Sequence, residues 1–293
     1  MCIAATPAPS SAPSPMADVT IAVTRYDEPD ELARDALESL ARQQGVAADV
    51  LFLDQRYDPV FAGAIEGLSC PAVRFAVRPI AVHSLSFARN QAIRAATGDI
   101  LLFMDCDAIA DPRWAAELVR VLRQDGVAVA GSRIVPRWAR PPLLMARAHV
   151  VWEQYSLLDL GPGIREVARV VGAGFGIDRR RLGEDARFDE TLGRRDGRLL
   201  SGEDSDICVR ARVRGLRILY NGEALIEHQI AMARITHRWI FKRLFYAGAN
   251  RATLGGSPSA SHGLSAWDAL LLPAIAIPYA AGYAWARLRR RAA

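Results

Sequence analysis

Two aspartates, Asp105 and Asp107, follow an apolar run and are separated by a single residue. A buried strand that ends in this way delivers both carboxylates to one rim of a sheet. Paired carboxylates suit a bound divalent metal, and a metal at such a rim suggests phosphate chemistry. Taken alone, the pair is equally typical of a strand followed by an Asx turn. Asp54, which also ends an apolar run, and the acidic pair Glu203-Asp204 favour a functional site.

The elements around these residues alternate between strand and helix patterns. The predicted strands are Val19–Thr24, Asp49–Leu53, Val73–Val77, Ile100–Met104 and Val127–Val135, and the predicted helices follow Asp27 and Pro29, span Ser86–Ala96, and run from Asp111-Pro112 to about Gln124. This alternation predicts a mostly parallel sheet covered by helices. Ligands bind such sheets at the carboxyl ends of the strands, where Thr24, Asp54 and Asp105 fall.

The second half of the sequence is less regular. We predict a helical patch at Met145–Leu158, a strand at Val167–Ile177, a helix from Ser201-Gly202-Glu203-Asp204 to Arg214 that Gly215 stops, and short strands at Ile218–Tyr220 and Ala224–Ile226 that end near His228. The strand at Val167–Ile177 contains three glycines, which fit either a bulge or a close approach of an acceptor to the backbone.

The bulk properties restrict the class of protein. The chain has 293 residues, of which 51% are hydrophobic, enough for one large core plus an appendage. Four scattered cysteines without zinc or redox spacing favour a reduced cytoplasm. The net charge of +5 rests on arginine, since Lys242 is the only lysine, and it fits phosphate-bearing substrates, anionic lipid or nucleic acid equally well. Residues 1–17, rich in Ala, Pro and Ser, predict a disordered leader.

Several short motifs occur in the order that one known family shows. They are Val19–Thr24 with the helix after it, Asp54, Ala88-Arg89-Asn90, Gly98–Asp107, Asp111-Pro112, Phe188-Asp189-Glu190, Gly202–Asp206 and Glu227-His228. Over residues 18–230 the chain thus resembles a family 2 glycosyltransferase. The resemblance implies an α/β fold of the GT-A type, with a Rossmann-like, mostly parallel central sheet flanked by helices. It also implies inverting transfer of a hexose or deoxyhexose from a nucleotide-diphosphate donor to an acceptor hydroxyl.

The resemblance assigns donor-binding roles to four residues. Thr24 and Asp54 would contact the base and ribose of the donor, and Arg89 would help to hold the nucleotide pocket. Asp105 would bind the ribose or a metal-bound water. Gln55-Arg56 stands where the family more often has acidic and small residues, which leaves the donor open among UDP-, GDP- and dTDP-sugars.

The resemblance also implies a metal site and a base. Asp107 would ligate Mg²⁺ or Mn²⁺, and His228 stands where many such enzymes place a further ligand. Asp204 would be the general base, with Glu203 beside it as an orienting or acceptor-binding group. The chemistry favours these residue types, because a metal neutralises the departing diphosphate and a carboxylate at a helix start stays ionised.

Each of these residues also has a structural alternative. Asp204 could only cap the helix that it begins. His228 could be an ordinary residue at a strand end. Arg89 could only pair with a neighbouring carboxylate.

Two segments after residue 230 suggest contact with a membrane. A helical pattern over Arg234–Arg251 places Arg234, Arg238 and Lys242 on one stripe, which fits a helix packed on the domain or a basic interfacial helix. The uncharged run Ala269–Ala286 would be roughly 27 Å long as a helix, just short of a bilayer core. We expect residues 231–293 to form an amphipathic helix and an apolar tail that associates with the inner face of the cell membrane without crossing it cleanly. The alternative is a buried C-terminal helix or a dimer contact.

Two other function classes fit parts of the sequence. A haloacid dehalogenase-like phosphohydrolase would also use Asp105 and Asp107, but in that family the aspartates come early in the chain, and a lysine is usually needed. A non-catalytic binder of membranes or nucleic acid would explain the arginines, yet acidic residues interrupt any continuous basic stripe. We therefore expect no nucleic-acid partner, and an acceptor that is a glycan or a lipid-linked sugar of the cell envelope.

Overall fold

The computed structural model describes residues 18–194, 201–254 and 265–292, and the predicted leader at residues 1–17 lies outside these ranges. The strands are β1 (Val19–Arg25), β2 (Ala48–Asp54), β3 (Val73–Pro79), β4 (Ile100–Asp105), β5 (Ala108–Ala110), β6 (Val127–Trp138), β7 (Ile164–Glu166), β8 (Gly174–Asp178) and β9 (Arg217–Ile230). The α-helices are α1 (Asp30–Ala41), α2 (Pro59–Glu66), α3 (Leu85–Ala95), α4 (Trp114–Leu122), α5 (His149–Gln154), α6 (Arg179–Leu182), α7 (Glu203–Val213), α8 (His237–Leu254), α9 (Ala266–Leu270) and α10 (Leu272–Ala292).

All the described strands belong to one sheet, in the order β3-β2-β1-β4-β8-β6-β9-β5, with β7 also paired to β9. Strands β1 to β4 are mutually parallel, β6 and β9 run with them, and β5, β7 and β8 run the other way. The predicted mostly parallel central sheet is therefore confirmed. Its parallel half holds the strand ends that carry Thr24, Asp54 and Asp105.

Alternate residues of the central strands face two separate apolar clusters. Leu102 and Met104 face the larger cluster with the helix residues Leu37 and Trp114. Their neighbours Leu101 and Phe103 face the smaller cluster, which holds buried residues of α3 and α7. The sequence of β4 is a continuous apolar run, so both faces of this strand need to be buried. Helices on both faces of the sheet provide that burial.

Some predicted boundaries are wrong, and local hydrogen bonds explain two of them. Helix α4 begins at Trp114, not at Pro112, because the Asp111 carboxylate accepts from the Arg113 backbone N–H and forms a turn first. The predicted strand at Val167–Ile177 is ordered as a strand only from Gly174, because the preceding segment is a loop whose Gly172 carbonyl accepts from Arg89.

Further differences concern β9, the helical patch and three short elements. The two short strands predicted before His228 are one strand, β9, with an irregular register opposite Ser132 and Arg133. The helical patch is a 3₁₀ turn, Leu144–Arg147, followed by α5. No prediction covered α2, β5 or β7, which are three to eight residues long.

The C-terminal helices pack on the sheet domain and on each other. Ile240, Leu244 and Ile275 are buried in the larger of the two apolar clusters. Helices α8 and α10 approach so closely that an added Cβ atom on Gly248 or on Gly282 would overlap a backbone carbonyl of the other helix. The predicted apolar run is divided at Leu271 between α9 and α10.

Within the described ranges, no helix combines the length and apolar character needed to cross a membrane.

Candidate active site

Strand register brings the predicted donor residues to one edge of the sheet. Thr24 lies opposite Asp105 in the β1–β4 pairing, and Arg25 lies opposite Asp54 in the β1–β2 pairing. Thr24 and Asp105 line one pocket, which we call the charged pocket. Its charged lining residues are Glu28, Arg89, Asp105, Arg194, Glu203, Asp204 and Arg243. The carboxyl edge of the parallel strands is therefore the place where the ionisable groups converge.

Asp54 is not among the residues that line this pocket. Its side chain is 1% exposed and lies 3.6 Å from the guanidinium of Arg25. Burial raises the pKa of Asp54, and the Arg56 backbone N–H and the Arg25 charge oppose this rise. The next residue, Gln55, does line the pocket. A direct contact of Asp54 with a donor base therefore stays a prediction. Gln55 is the neighbouring residue that lines the charged pocket.

Asp105, Asp107 and His228 form a cluster of potential metal ligands whose donor atoms all lie within 4.8 Å of one another. The short strand β5 creates it, because its antiparallel pairing with β9 places Ala108 opposite His228. Asp107, one residue earlier, is thereby held beside the imidazole, and its backbone carbonyl accepts from the Gln229 N–H.

The hydrogen bonds of His228 fit a ligand for a cation. Nδ1 lies 2.7 Å from the Tyr155 carbonyl oxygen, so this nitrogen carries a proton. In a neutral ring Nε2 is then an acceptor, yet it faces Oδ1 of Asp107 at 3.0 Å. Two acceptors at this distance need a proton or a metal ion between them. A metal-bound histidine commonly donates its other N–H to a backbone carbonyl, so the donor set and its orientation fit a divalent ion.

The two aspartates differ in their electrostatic surroundings. Burial raises the pKa of Asp107, but the hydrogen bond and charge of His228 and the charge of Arg234 outweigh it, so the net shift is downward. Burial raises the pKa of Asp105, and Arg89 only partly opposes this effect. Asp107 is therefore the more firmly ionised carboxylate, which suits a metal ligand.

Arg89 connects the aspartates of β4 to the start of α7. Its guanidinium lies 3.1 Å from both Asp105 and Glu203 and donates to the Gly172 carbonyl at 2.8 Å. The side chain is 1% exposed and is surrounded by the rings of Phe103, Phe175 and Phe188. All three partners of the guanidinium line the charged pocket, so a structural ion pair and a role in the pocket are compatible.

Asn90 explains why two of the sequence motifs occur together. Its side chain accepts from the Phe188 N–H at 2.8 Å and donates to the Phe188 carbonyl and to Glu190 at 2.9 Å each. The segment at Phe188–Glu190 is thereby fixed against α3, with Arg89 next to it.

Glu203 and Asp204 form the first turn of α7, directly after Gly202, whose φ of +111° is unfavourable for other residues. Burial and the Asp204 charge raise the pKa of Glu203 to about 7, although Arg89 opposes them. Asp204 is not the N-cap of this helix, and its carboxylate accepts from the Ser205 N–H. The positive end of the helix dipole favours an ionised carboxylate at this position.

A second cavity adjoins the charged pocket, and we call it the α10 cavity. It encloses about 830 Å³, within the range of roughly 300–1,000 Å³ that is typical of ligand pockets. Ser156, Ser201, Asp204 and Arg243 line both spaces. The far wall is apolar and comes from Leu272, Ile275, Ala276 and Tyr279 of α10. Asp204 therefore lies at the junction of the two spaces.

Sequence reasoning missed several charged residues of the site. Arg194 and Arg243 line the charged pocket, and Arg234 contacts Asp107 at 3.0 Å. Arg234 was predicted on a basic helical stripe, but it precedes α8 in a 3₁₀ turn and donates to the Asp107 carboxylate. No local pattern distinguished it, because the chain has 37 basic residues of which all but Lys242 are arginines.

The chain is similar to known glycosyltransferases in sequence. Residues 20–180, more than half of the chain, match the family described as Glycosyl transferase family 2. The Glucosyl-dolichyl phosphate glucuronosyltransferase of Haloferax volcanii is 26% identical over 175 residues, which cover 59% of this chain and only 56% of that protein. The Succinoglycan biosynthesis protein ExoM of Rhizobium meliloti is 26% identical over 281 residues, which cover 88% of this chain and 82% of that protein. The family match favours the glycosyltransferase interpretation over the phosphohydrolase alternative.

A solved structure is similar in fold. The mannosyltransferase PcManGT from Pyrobaculum calidifontis, in complex with GDP-Man and Mn²⁺, matches with a TM-score of 0.60 and 16% sequence identity, over 95% of this chain and 77% of that one. At this identity the likeness concerns the fold alone. It confirms the predicted α/β fold of the GT-A type.

Proposed function

The chain belongs to glycosyl transferase family 2, and on that basis we propose that it transfers a sugar from a nucleotide-diphosphate donor to an acceptor hydroxyl, with inversion at the anomeric carbon. The observation that carries the proposal is the cluster of Asp105, Asp107 and His228 beside a pocket whose other wall holds Asp204. A donor diphosphate at the cluster and an acceptor at Asp204 would meet across this pocket. The names of the relatives, which include a glucuronosyltransferase, support transfer of a hexose-type sugar.

Asp107 and His228, with Asp105, are the residues that would hold Mn²⁺ or Mg²⁺. When bound, the metal would supply neutralisation of the negative charge that develops on the departing diphosphate. The imidazole nitrogen in the donor set favours Mn²⁺ somewhat, and Mn²⁺ is the ion in the PcManGT complex. Thr24, Arg89 and Asp105, which line the charged pocket, would bind and orient the nucleotide, and a contact of the buried Asp54 with the donor stays a prediction.

Asp204 is our candidate for the general base. It borders both the charged pocket and the α10 cavity, so an acceptor hydroxyl in the cavity could reach its carboxylate. Glu203 is less suited to this step because Arg89 holds it at 3.1 Å on the other side. Deprotonation of the hydroxyl as it attacks the anomeric carbon in one displacement would invert the configuration.

The acceptor is a glycan or a lipid-linked sugar that occupies the α10 cavity. The polar end of the cavity, at Asp204, suits a sugar hydroxyl, and the apolar wall from α10 suits a hydrocarbon portion. A lipid-linked acceptor is consistent with the name of the Haloferax volcanii relative. On the same grounds we propose a role in the synthesis of a cell-envelope glycan.

We infer that α10 rests on the inner face of the cell membrane. Outside the α10 cavity it exposes the large residues Ile277, Trp285 and Leu288, which we call the apolar face. Arg287 and Arg289 stack on Tyr283 and Trp285 at 5.6 and 4.7 Å. Apolar and aromatic residues beside arginines suit the interface of an anionic bilayer.

A donor-binding screen tests the proposal. UDP-, GDP- and dTDP-hexoses are titrated with and without Mn²⁺ into the wild-type protein and the Asp107→Ala variant. We expect one nucleotide class to bind in a Mn²⁺-dependent way and the variant to lose this binding. Failure of every nucleotide sugar to bind, or equal binding by the variant, would overturn the proposal.

A further inference from the structure

Arg234 has a position at the metal ligands that the proposed roles leave unexplained. It ends the 3₁₀ turn Met232–Arg234, which follows β9, the strand that carries His228. Arg234 lies four residues after the last residue of that strand, Ile230. Its Nη1 atom donates to Oδ2 of Asp107 at 3.0 Å, while Oδ1 of the same carboxylate faces His228. The guanidinium also stacks on Trp239 at 5.1 Å. The side chain is therefore fixed beside the carboxylate that would hold the metal.

Only part of the guanidinium is used by these contacts. The Nε and Nη2 atoms are buried and have no hydrogen-bond partner within the described residues. A guanidinium carries five N–H donors in a planar fork, and buried donors of this kind are normally satisfied. These atoms therefore point to a ligand that supplies acceptor oxygens.

Two further arginines come from distant parts of the chain to the neighbouring charged pocket. Arg194 and Arg243 line the charged pocket, and each lies within electrostatic range of Arg234. Arg194 also lies 3.6 Å from Glu28. Three guanidinium groups so close together repel one another, and a multiply charged anion between them would relieve this repulsion. Guanidinium forks match the geometry of phosphate oxygens.

We propose that Arg234, together with Arg194 and Arg243, binds the diphosphate of the donor directly beside Asp107. This inference rests on the proposed function, because it assumes a nucleotide-diphosphate donor. While Nη1 stays on the Asp107 carboxylate, Nε and Nη2 would donate to the phosphate oxygens. The same contacts would stabilise the diphosphate as it leaves.

The test separates diphosphate binding from metal binding. Mn²⁺ alone, and then UDP, GDP or dTDP with saturating Mn²⁺, is titrated calorimetrically into the wild-type protein and Arg234→Gln. Arg137→Gln is the matched control, since Arg137 is 57% exposed on β6 and lies 3.9 Å from Glu227. We expect the Kd of the nucleoside diphosphate to rise at least tenfold in Arg234→Gln, with the Kd for Mn²⁺ within threefold of wild type. The control should stay within twofold for both.

Each other outcome has a defined meaning. An unchanged Kd for the diphosphate in Arg234→Gln would overturn the inference while leaving the proposed function intact. A parallel loss of Mn²⁺ and diphosphate affinity would also overturn it, because Arg234 would then act only on Asp107. If the wild-type protein binds no nucleoside diphosphate, the proposed function fails and the inference fails with it. Should Arg234→Gln not fold, Arg234→Lys takes its place: it keeps a positive charge beside Asp107 but loses the fork, so a rise in the diphosphate Kd of at least threefold is expected, and no rise overturns the inference.

Discussion

The imidazole Nε2 of His228 and the carboxylate Oδ1 of Asp107 lie 3.0 Å apart, a distance that requires a proton or a metal ion between the two atoms. The opposite ring nitrogen lies 2.7 Å from the Tyr155 carbonyl oxygen, so in a neutral ring the proton is on that side and Nε2 is an acceptor toward the aspartate. The pair is 121 residues apart in sequence and is assembled only when β5 pairs with β9. This geometry is the basis for assigning the cation to these residues.

The first prediction concerns the general base. Asp204→Asn should leave Mn²⁺-dependent donor binding within about threefold of wild type, because the carboxamide keeps the size of the side chain. Sugar transfer should fall by roughly 10²–10⁴-fold, the usual contribution of a positioned base. Asp206→Asn is the matched control, since Asp206 lies two residues further along the same helix and pairs with Arg210 at 2.9 Å. Normal transfer by Asp204→Asn would show that another group removes the proton.

The second prediction concerns the buried Glu203 and the pH dependence of stability. Its pKa is raised to about 7, first by burial and then by Asp204. The folded protein therefore holds this proton more tightly than the unfolded chain, whose glutamates titrate near about 4.3. The contribution of Glu203 to the free energy of unfolding is complete below that pH and is lost as the pH rises through about 7.

Glu203→Gln removes this titration and should flatten the pH profile. In chemical denaturation with EDTA present, the wild-type free energy of unfolding should fall more between pH 4.5 and pH 8 than that of the variant, by on the order of 1–3 kcal/mol. Glu184→Gln, at an exposed position in the 3₁₀ turn Gly183–Asp185, is the control and should keep the wild-type profile. Parallel profiles for wild type and Glu203→Gln would show that the pKa of Glu203 is not raised in the folded protein.

The third prediction concerns the contact between α8 and α10. Gly282→Ala should destabilise the protein by more than about 2 kcal/mol, because its Cβ would overlap the Phe245 carbonyl and force the helices apart. Gly63→Ala in α2 is the matched control, since nothing lies within 4 Å of the added Cβ. That change should stabilise the protein by roughly 0.5–1 kcal/mol through helix propensity. Equal thermal unfolding shifts in both variants would mean that the two helices are not in this contact.

The fourth prediction concerns the apolar face of α10. Ile277→Glu should reduce sedimentation of the protein with vesicles of mixed anionic and neutral phospholipid, because Ile277 is 70% exposed on that face. Val213→Glu places the same charge at an 83% exposed valine on α7 and should bind vesicles like the wild type. Vesicle binding that is absent in the wild type, or insensitive to Ile277→Glu, would contradict a membrane-facing α10.

The predicted part of the site is the part that local patterns encode. Thr24, Asp54 and Asp105 were predicted because each stands at the end of an apolar run. Parallel strands bring such ends to one edge of the sheet, and the observed register does so. The helix start at Glu203 was visible from Gly202 and the acidic residues after it. In each case the sequence pattern lies within a few residues of the side chain that it predicts.

The rest depends on long-range packing that no short window contains. Arg234 reaches Asp107 across 127 residues and looked like a member of a helical stripe. Three residues, Ala108–Ala110, are too few to show a strand period, although β5 sets the position of Asp107 beside His228. The loop before Gly174 was mistaken for strand because its apolar residues are buried by tertiary contacts instead of by sheet pairing.

The most direct test of the metal assignment is pulsed electron paramagnetic resonance of Mn²⁺ bound to the protein with a nucleoside diphosphate. We expect a nitrogen coupling from the His228 imidazole in the wild type. In His228→Ala the coupling should disappear and the Kd for Mn²⁺ should rise at least tenfold, while His237→Ala, at an exposed histidine that begins α8, should leave both unchanged. A wild-type spectrum without nitrogen coupling, together with an unchanged Kd in His228→Ala, would contradict the account.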